Sequence, residues 1–522
     1  MISRSDLHIF PEPLRPIVVS LHNDVVWLRE ENARLRRAMY GSTSERHVPG
    51  EIIEPSGSLF NEAEAIATGA EGVASAPEPE PSPPPAKKPR VRSPESGGRD
   101  EFPPDLPRTV VVVDVPDEEK VCPVDGAPLQ KIGERVVEKL NIVPAKITVT
   151  QYVYPSYGCS VCKETVVQAS AVPTALPSSA CEPALLAYIL TQKYGFGLPL
   201  YRVEQQLAQL GVAVSRAKMA RWVIAAADAL GDVAFEIKAH ILGQAAIHAD
   251  ETTVQVLKGT GKAPTSKSYM WTLCTVEGTV PAVWFQHAPS RDKNAAAKLL
   301  ETFAGLLHID GFEGYSEVVE RNDITRVGCW AHVRRYFDTA KKDGAASGKP
   351  LAGEFLDDIQ ALFLAERDWA GLAPEVRLAG RTQKSKPVVE RIKLRLDEER
   401  HKVPPKSKLG AALTYLANQW ETLVVFLADG RASLSNNRME NHIRPFAVGR
   451  KNWLFSDTSA GADASALIYS IVGTAKANGL RAQEYLTWLL TELPKAEAAP
   501  RKGKLDLEPF MPWSYAEKIA TR

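Results

Sequence analysis

The sequence predicts a multidomain α+β protein, and three observations carry that prediction. The chain has 522 residues, too many for one hydrophobic core, so three or four domains are expected. From about residue 244, three apolar β-rich segments, an amphipathic helix and further strands follow one another, which is the order of a mixed α/β sheet. Ahead of them stand a heptad seam and a Pro-rich acidic stretch, each the mark of a separate unit.

Composition narrows the class. Apolar content of 44% and charged content of 24% are those of an ordinary globular protein. No stretch of 18 apolar residues and no basic, then apolar, leader is present, so neither secretion nor a membrane is expected. The expected location is cytoplasmic. Six cysteines are too few for a disulfide scaffold, and "CSVC" points instead to metal or a reducing compartment. The formal net charge of zero hides a segregation. Residues 47–86 carry seven Glu and no Lys or Arg, whereas residues 377–408 hold 11 Lys or Arg against four acids and residues 431–451 hold five against one. Such basic stripes suit a polyanion, although most charge runs are simply solvated helix faces.

The elements follow in order. In residues 1–46, Leu14, Leu21, Leu28 and Leu35 recur every seven positions, with Val18, Val25, Asn32 and Met39 between them. That is a coiled-coil dimerisation helix, and Asn32 at a core position favours a parallel pair; a single amphipathic helix packed on its own protein is the alternative. Residues 47–107 form a disordered acidic and Pro-rich linker containing the basic knot "KKPRVR". Residues 108–175 read as short strands around "CPVDG" and "YGCSVC", a zinc-ribbon-like β module whose candidate ligands are Cys122, Cys159 and Cys162 with Asp125 where a fourth thiol would stand. Residues 176–240 carry a helix-turn-helix-like segment: the helical pattern breaks at Gly211 and resumes after Ser215, an apt N-cap. Its second helix would offer Arg216, Lys218 and Arg221 to DNA.

Residues 241–460 carry the candidate chemistry. Three strands ("QAAIHADETTVQV", "SYMWTLCTVEG", "VPAVWFQHA"), the helix "RDKNAAAKLLETFAG", then "LLHIDGFEGY" and "ITRVGCWAHVRRYFD" outline a ribonuclease-H-like catalytic core. Asp250 falls in the first strand and Asp310 at the end of the fourth. A carboxylate in an apolar strand is costly unless paired or bound to metal. If the two strands are neighbours, their acids converge, and a third would complete a site for two Mg (or Mn) ions. Glu440 is the candidate: read helically, Asn436, Asn437, Glu440 and Arg444 share one face, with Arg438, Arg450 and Lys451 nearby. Asn437 and Glu440 would equally make a capping box, and Glu251 and Glu313 are substitutes if the register is shifted. "LKGTGK" lacks the full phosphate-loop pattern and reads as a hairpin turn. Cys329 and His332 would pack against or orient the site beneath Arg334 and Arg335. Residues 461–522 read as a C-terminal helical extension.

Taken together, these blocks resemble bacterial transposases of the insertion-sequence sixty-six family, within the wider DDE recombinases. The likeness runs through "YGSTSER", "CPVD" and "CSVC", "KYGFGLPLYR", "HADETT", "HIDGFEGY", "CWAHVRRYF" and "NNRMENHIRPFAVGRKNWLF". It implies that Asp250, Asp310 and Glu440 form a catalytic triad, that a helical insertion occupies about residues 340–430, and that Cys329 and His332 match a Cys-x-x-His signature. It further implies double-stranded DNA as partner, at element ends and target, a homodimer or higher oligomer, and two companion proteins of the same element. Asp125 and Ser435 depart from the family pattern, the first within the zinc module and the second just before the Asn pair. Two other readings stay open: an inert DNA-binding regulator and a metal-dependent nuclease that cuts without joining.

Overall fold

The computed structural model describes residues 146–158 and 166–521, except 178, 260–262, 264, 322 and 345–350, together with the isolated Pro11 and Val110. The heptad helix, the linker and the zinc candidates Cys122, Asp125, Cys159 and Cys162 lie outside the described residues. Residues from Ile147 onward belong to one compact unit.

A small antiparallel pair, β1 (Ser156–Gly158) and β2 (Val166–Gln168), precedes four helices: α1 (Pro183–Leu190), α2 (Leu200–Gln209), α3 (Arg216–Ala229) and α4 (Gly231–Leu242). Pro183 opens α1, where its missing N–H costs nothing. The α2–α3 turn follows the sequence expectation: Gly211 takes a φ of +87°, a conformation open to glycine at little cost, and the Ser215 hydroxyl caps α3 by accepting from Lys218 N at 3.3 Å.

The central sheet is mixed. Its strands are β3 (Ala246–Lys258), β4 (Lys267–Thr275), β5 (Val283–Ala288), β6 (Gly305–His308) and β7 (Ile324–Val327), in the order β5-β4-β3-β6-β7. β3, β4 and β5 run antiparallel to their neighbours, as hairpin-linked strands do, while β6 and β7 continue parallel to β3. Between β5 and β6 lies α5 (Lys293–Leu299), and α6 (Ser316–Arg321) links β6 to β7. Beyond the end of β6, the outer half of β3 pairs with β8 (Ser456–Thr458).

Alternation sends neighbouring strand residues into two different cores. Leu307 and Ile247 join a cluster with α1–α4 and the C-terminal helices α13 (Ser459–Ala477) and α14 (Ala482–Ala498). Leu306 and Ala246 face a second cluster built by α7 (Trp330–Gly344), α8 (Leu351–Asp368), α10 (Lys386–Glu399) and α11 (Lys408–Leu423). This helical segment, with α9 (Pro374–Gly380), fills the interval between β7 and α12 (Asn437–Trp453), the helix that carries Glu440; α15 (Pro512–Ala520) follows α14. The outer edge of β5 is sealed by α13, whose Ser470 and Thr474 hydroxyls accept from Phe285 N at 2.8 Å and Val283 N at 3.0 Å, a helix covering an otherwise open strand edge.

Arg381, just after α9, is fully buried. It pairs with Glu366 at 2.7 and 2.8 Å and donates to the carbonyls of Phe426, Asp429 and Ala432 at 2.7–2.9 Å. A buried guanidinium persists only when so completely satisfied. Gly430 in the same loop touches Pro374, whose carbonyl oxygen would lie 1.8 Å from any Cβ there. Arg381 and Gly430 thus fix the loop that leads into α12.

Candidate active site

β3 and β6 are neighbours, and their last aligned residues are His248 and His308. Asp250 and Asp310 each stand two residues farther on, Asp250 still within β3 and paired with Thr272 of β4, Asp310 just past the end of β6. Each uses one oxygen to bind nearby backbone: Asp250 Oδ1 accepts from Glu251 N at 2.8 Å within the strand, and Asp310 Oδ1 from Phe312 N at 3.0 Å in the turn after β6. Glu440 comes from the first turn of α12 and is 3% exposed. Burial, and then the charges of Glu251, Asp310 and Glu440, hold the Asp250 carboxyl well above the usual carboxylate range.

Glu440 is not a helix cap. The N-cap of α12 is Asn436, whose side chain makes no cap bond, and Asn437 is the first helical residue. Glu440 Oε1 instead accepts from Arg335 and lies 3.6 Å from His332 Nε2, while Oε2 is buried with no hydrogen-bond partner. Glu251 is differently placed. Arg291 donates to it at 2.7 Å and Tyr315 at 2.9 Å, and Arg291 in turn lies over the Phe312 ring at 3.7 Å. Both of its oxygens are engaged. Glu313 begins a short 3-10 turn, Glu313–Tyr315.

Cys329 and His332 flank Glu440 from α7 and the residue ahead of it. Burial alone would push the Cys329 thiol up, but His332 and the Asn436 N–H, 3.2 Å from the sulfur, outweigh it and bring it below its ordinary value. His332, against the opposing effect of burial, is raised to about 9, chiefly by Cys329. Among the described residues, no three His, Cys, Asp or Glu side chains are gathered tightly enough to hold a metal ion as they stand.

The basic residues sort into classes invisible in the sequence. Arg438 donates to the Thr275 carbonyl at 2.9 Å, and Arg450 bonds Thr252 and Thr253 of β3; both tie α12 to the sheet. Arg334 lies over Phe363 at 6.0 Å. Arg444, one turn after Glu440, keeps Nε and Nη2 buried without a partner. Arg216, Lys218 and Arg221 on α3, and Lys451 at the end of α12, are exposed. In the 377–408 stripe, seven of the 11 cations serve the protein itself. Arg377 and Arg381 are buried against carbonyls, and Lys384, Arg391, Lys393, Arg395 and Lys402 pair with acids of the same helical segment. Much of the stripe's charge is thus engaged by acids of its own segment, although Lys384, Arg391, Lys393 and Lys402 remain at the surface.

Sequence reasoning missed His248 and His308, each 1% exposed and in tilted ring contact at 4.4 Å, as well as Arg291, Tyr315 and Ser433. One signal was available: His-x-Asp occurs at 248–250 and again at 308–310.

An acidic centre bordered by partly unpaired arginine is the arrangement of a protein that works on a phosphate polyanion. The chain belongs to the IS66 transposase family: the model described as Transposase IS66 family matches residues 178–464, more than half the chain. Three further models of the group match around it. They are the zinc-finger binding domain of transposase IS66 at 119–163, the IS66 C-terminal element at 470–513, and a leucine-zipper model described as Transposase C of IS166 homeodomain at 27–111. Curated relatives match nearly the whole chain. Uncharacterized protein y4hP of Sinorhizobium fredii (strain NBRC 101917 / NGR234) is 30% identical over 95% of this chain and 90% of its own length. From the same strain, uncharacterized proteins y4jD and y4qI are 28% and 31% identical over 97% and 92% of this chain, and 97% and 87% of their own lengths. Among the described residues, no helix is long and apolar enough to cross a membrane.

Proposed function

We propose that this protein is a DDE-type DNA transposase that cuts at element ends and joins them to target DNA by metal-dependent in-line phosphoryl transfer, with Asp250, Asp310 and Glu440 as its triad. The observation that carries the reading is the convergence of these acids from β3, the turn after β6 and the first turn of α12, near enough for two of them to help raise Asp250. Three antiparallel strands continued by two parallel ones support a ribonuclease-H-like core.

The donor set fits a hard divalent cation. It is all carboxylate oxygen, Asp250 is burdened by burial and like charge, and Glu440 Oε2 is an orphaned buried acceptor. Asp250, Asp310 and Glu440 would hold two Mg2+ or Mn2+ ions, which when bound supply Lewis-acid stabilisation at phosphorus and a stronger attacking hydroxyl. The chain's own residues do the rest. Arg444, with two unpaired donors on the Glu440 face, is matched to a DNA phosphate. Arg335 suits either Glu440 or a phosphate, so DNA arrival offers it a second partner. Arg216, Lys218 and Arg221 present an exposed cationic helix start to the duplex. In the N-terminal region, the heptad helix would pair two copies, and Cys122, Asp125, Cys159 and Cys162 would hold one Zn2+ through mostly thiolate ligands. Two companion proteins of the same element complete the proposed assembly.

The test compares wild type with Glu440→Gln on a labelled DNA end carrying the element's terminal repeat, in Mg2+ or Mn2+, with binding, cutting and joining scored separately. Both proteins should bind and only the wild type should cut and join. Equal cutting by the variant would remove Glu440 from the triad. Cutting by the wild type without joining would make it a nuclease, and binding without cutting even with the companion proteins would make it a regulator.

A further inference from the structure

His248 and His308 are buried polar rings in a hydrophobic core, an expensive arrangement unless every nitrogen is satisfied. All four nitrogens have a partner in reach. His308 Nδ1 lies 2.9 Å from the Ile247 carbonyl, and its Nε2 accepts from Ser433 N at 2.6 Å. His248 Nδ1 lies 2.7 Å from Asn436 Oδ1, and its Nε2 faces the Ser433 hydroxyl at 3.4 Å. Asn436 Nδ2 donates to the Ala249 carbonyl at 3.0 Å, which leaves Oδ1 as the acceptor. These partners assign both rings one neutral tautomer, with the proton on Nδ1.

The connections have a direction. His248 is two residues before Asp250 and His308 two before Asp310. Ser433 and Asn436 lie on the segment that runs straight into α12, and Glu440 N donates to the Asn436 carbonyl at 3.2 Å. The two contacting rings therefore bridge the two acids of the sheet region and the acid on the helix.

We propose that His248 and His308 are positioning residues that set Glu440 at its place relative to Asp250 and Asp310. The proposal rests on the triad reading above. Residues that orient ligands from behind typically change metal affinity or activity by 10- to 100-fold when replaced. Mere packing would tolerate an apolar ring, whereas positioning needs a donor at the place of Nδ1.

The experiment uses the full-length chain with wild type, His248→Phe, which keeps a ring without donors, and His248→Asn, whose amide offers a donor near Nδ1. Two quantities are read: the Mg2+ concentration giving half of the maximal thermal stabilisation without DNA, and kcat and KM for cutting a labelled element end. His248→Phe should raise the Mg2+ midpoint about tenfold and lower kcat about 10- to 100-fold with KM for DNA nearly unchanged. His248→Asn should recover most of both losses. Should His248→Phe fail to fold, Asn436→Ser severs the same link while keeping a favoured N-cap residue, and the same losses are expected. Wild-type values for either folded variant, or Phe behaving like Asn, would overturn the positioning role. If the midpoint shifts while the wild type cuts no DNA even with the companion proteins, the positioning role stands and the transposase reading falls; if the wild type shows no Mg2+ response at all, both fall.

Discussion

Glu251 and Glu440 are both buried acids beside an arginine, yet they do opposite work. Around Glu251, Arg291 and Tyr315 take up both carboxylate oxygens, and the group is complete as it stands. Around Glu440, Arg335 takes one oxygen and the other has none. A satisfied acid stabilises a fold, whereas an acid left half satisfied in a protein interior is a reservoir for a ligand. The difference separates a structural corner of the site from a reactive one.

The sharpest way to break this comparison is to neutralise each acid in turn. Glu440→Gln should lower cutting by about 10³-fold or more while leaving the melting temperature close to wild type, because one of its two oxygens has no hydrogen-bond partner to lose. Glu251→Gln should instead retain most cutting and lose about 1–3 kcal/mol of stability through the stranded Arg291; denaturant melts and the labelled-end assay read the two outcomes. The next largest effect belongs to the 377–408 stripe. Arg381→Met should cost about 3–5 kcal/mol by stranding Glu366 and three carbonyls, whereas Arg391→Gln, at a half-exposed cation whose buried partner Asp358 keeps Arg395, should cost under about 1 kcal/mol.

A smaller effect should follow pH. Burial and neighbouring acids raise the folded pKa of both Asp250 and Glu251. Each carboxyl then keeps its proton in the folded chain at a pH where the unfolded chain has lost it. Their contribution is therefore most favourable below the ordinary carboxylate pKa and is lost as pH rises through the folded value. Metal-free protein should lose stability across that window, and Mg2+ should restore more of it at about pH 8 than at about pH 5, as scanning calorimetry would register. Smallest is the expected response of Arg444→Ala. It should reduce the salt-dependence slope of DNA binding by about one, the signature of a single lost phosphate contact.

The sheet strands and α5 were legible because apolar runs and turn residues act locally. The Gly211–Ser215 turn was legible for the same reason. Asp250, Asp310 and Glu440 could be picked out as acids in the wrong company. What stayed hidden is long-range. Nothing near Asn436 in sequence says that its amide is bound to His248, 188 positions away, and nothing in a count of cations says that Arg391 and Arg395 share Asp358. Charge surplus is a property of composition, while pairing belongs to the packed helices. The His-x-Asp repeat was visible but silent, since a histidine in a strand has no meaning until its register partner is known.

The entrance and exit of the helical segment between β7 and α12 are stitched together. Trp330 N donates to the Leu434 carbonyl at 3.1 Å, and Asn436 N to Cys329 Sγ at 3.2 Å, across 107 positions of chain. The segment is therefore a side branch with a closed neck. The chain re-enters the site beside the point at which it left it, so Cys329 on the way out and Asn436 on the way back are held to each other directly.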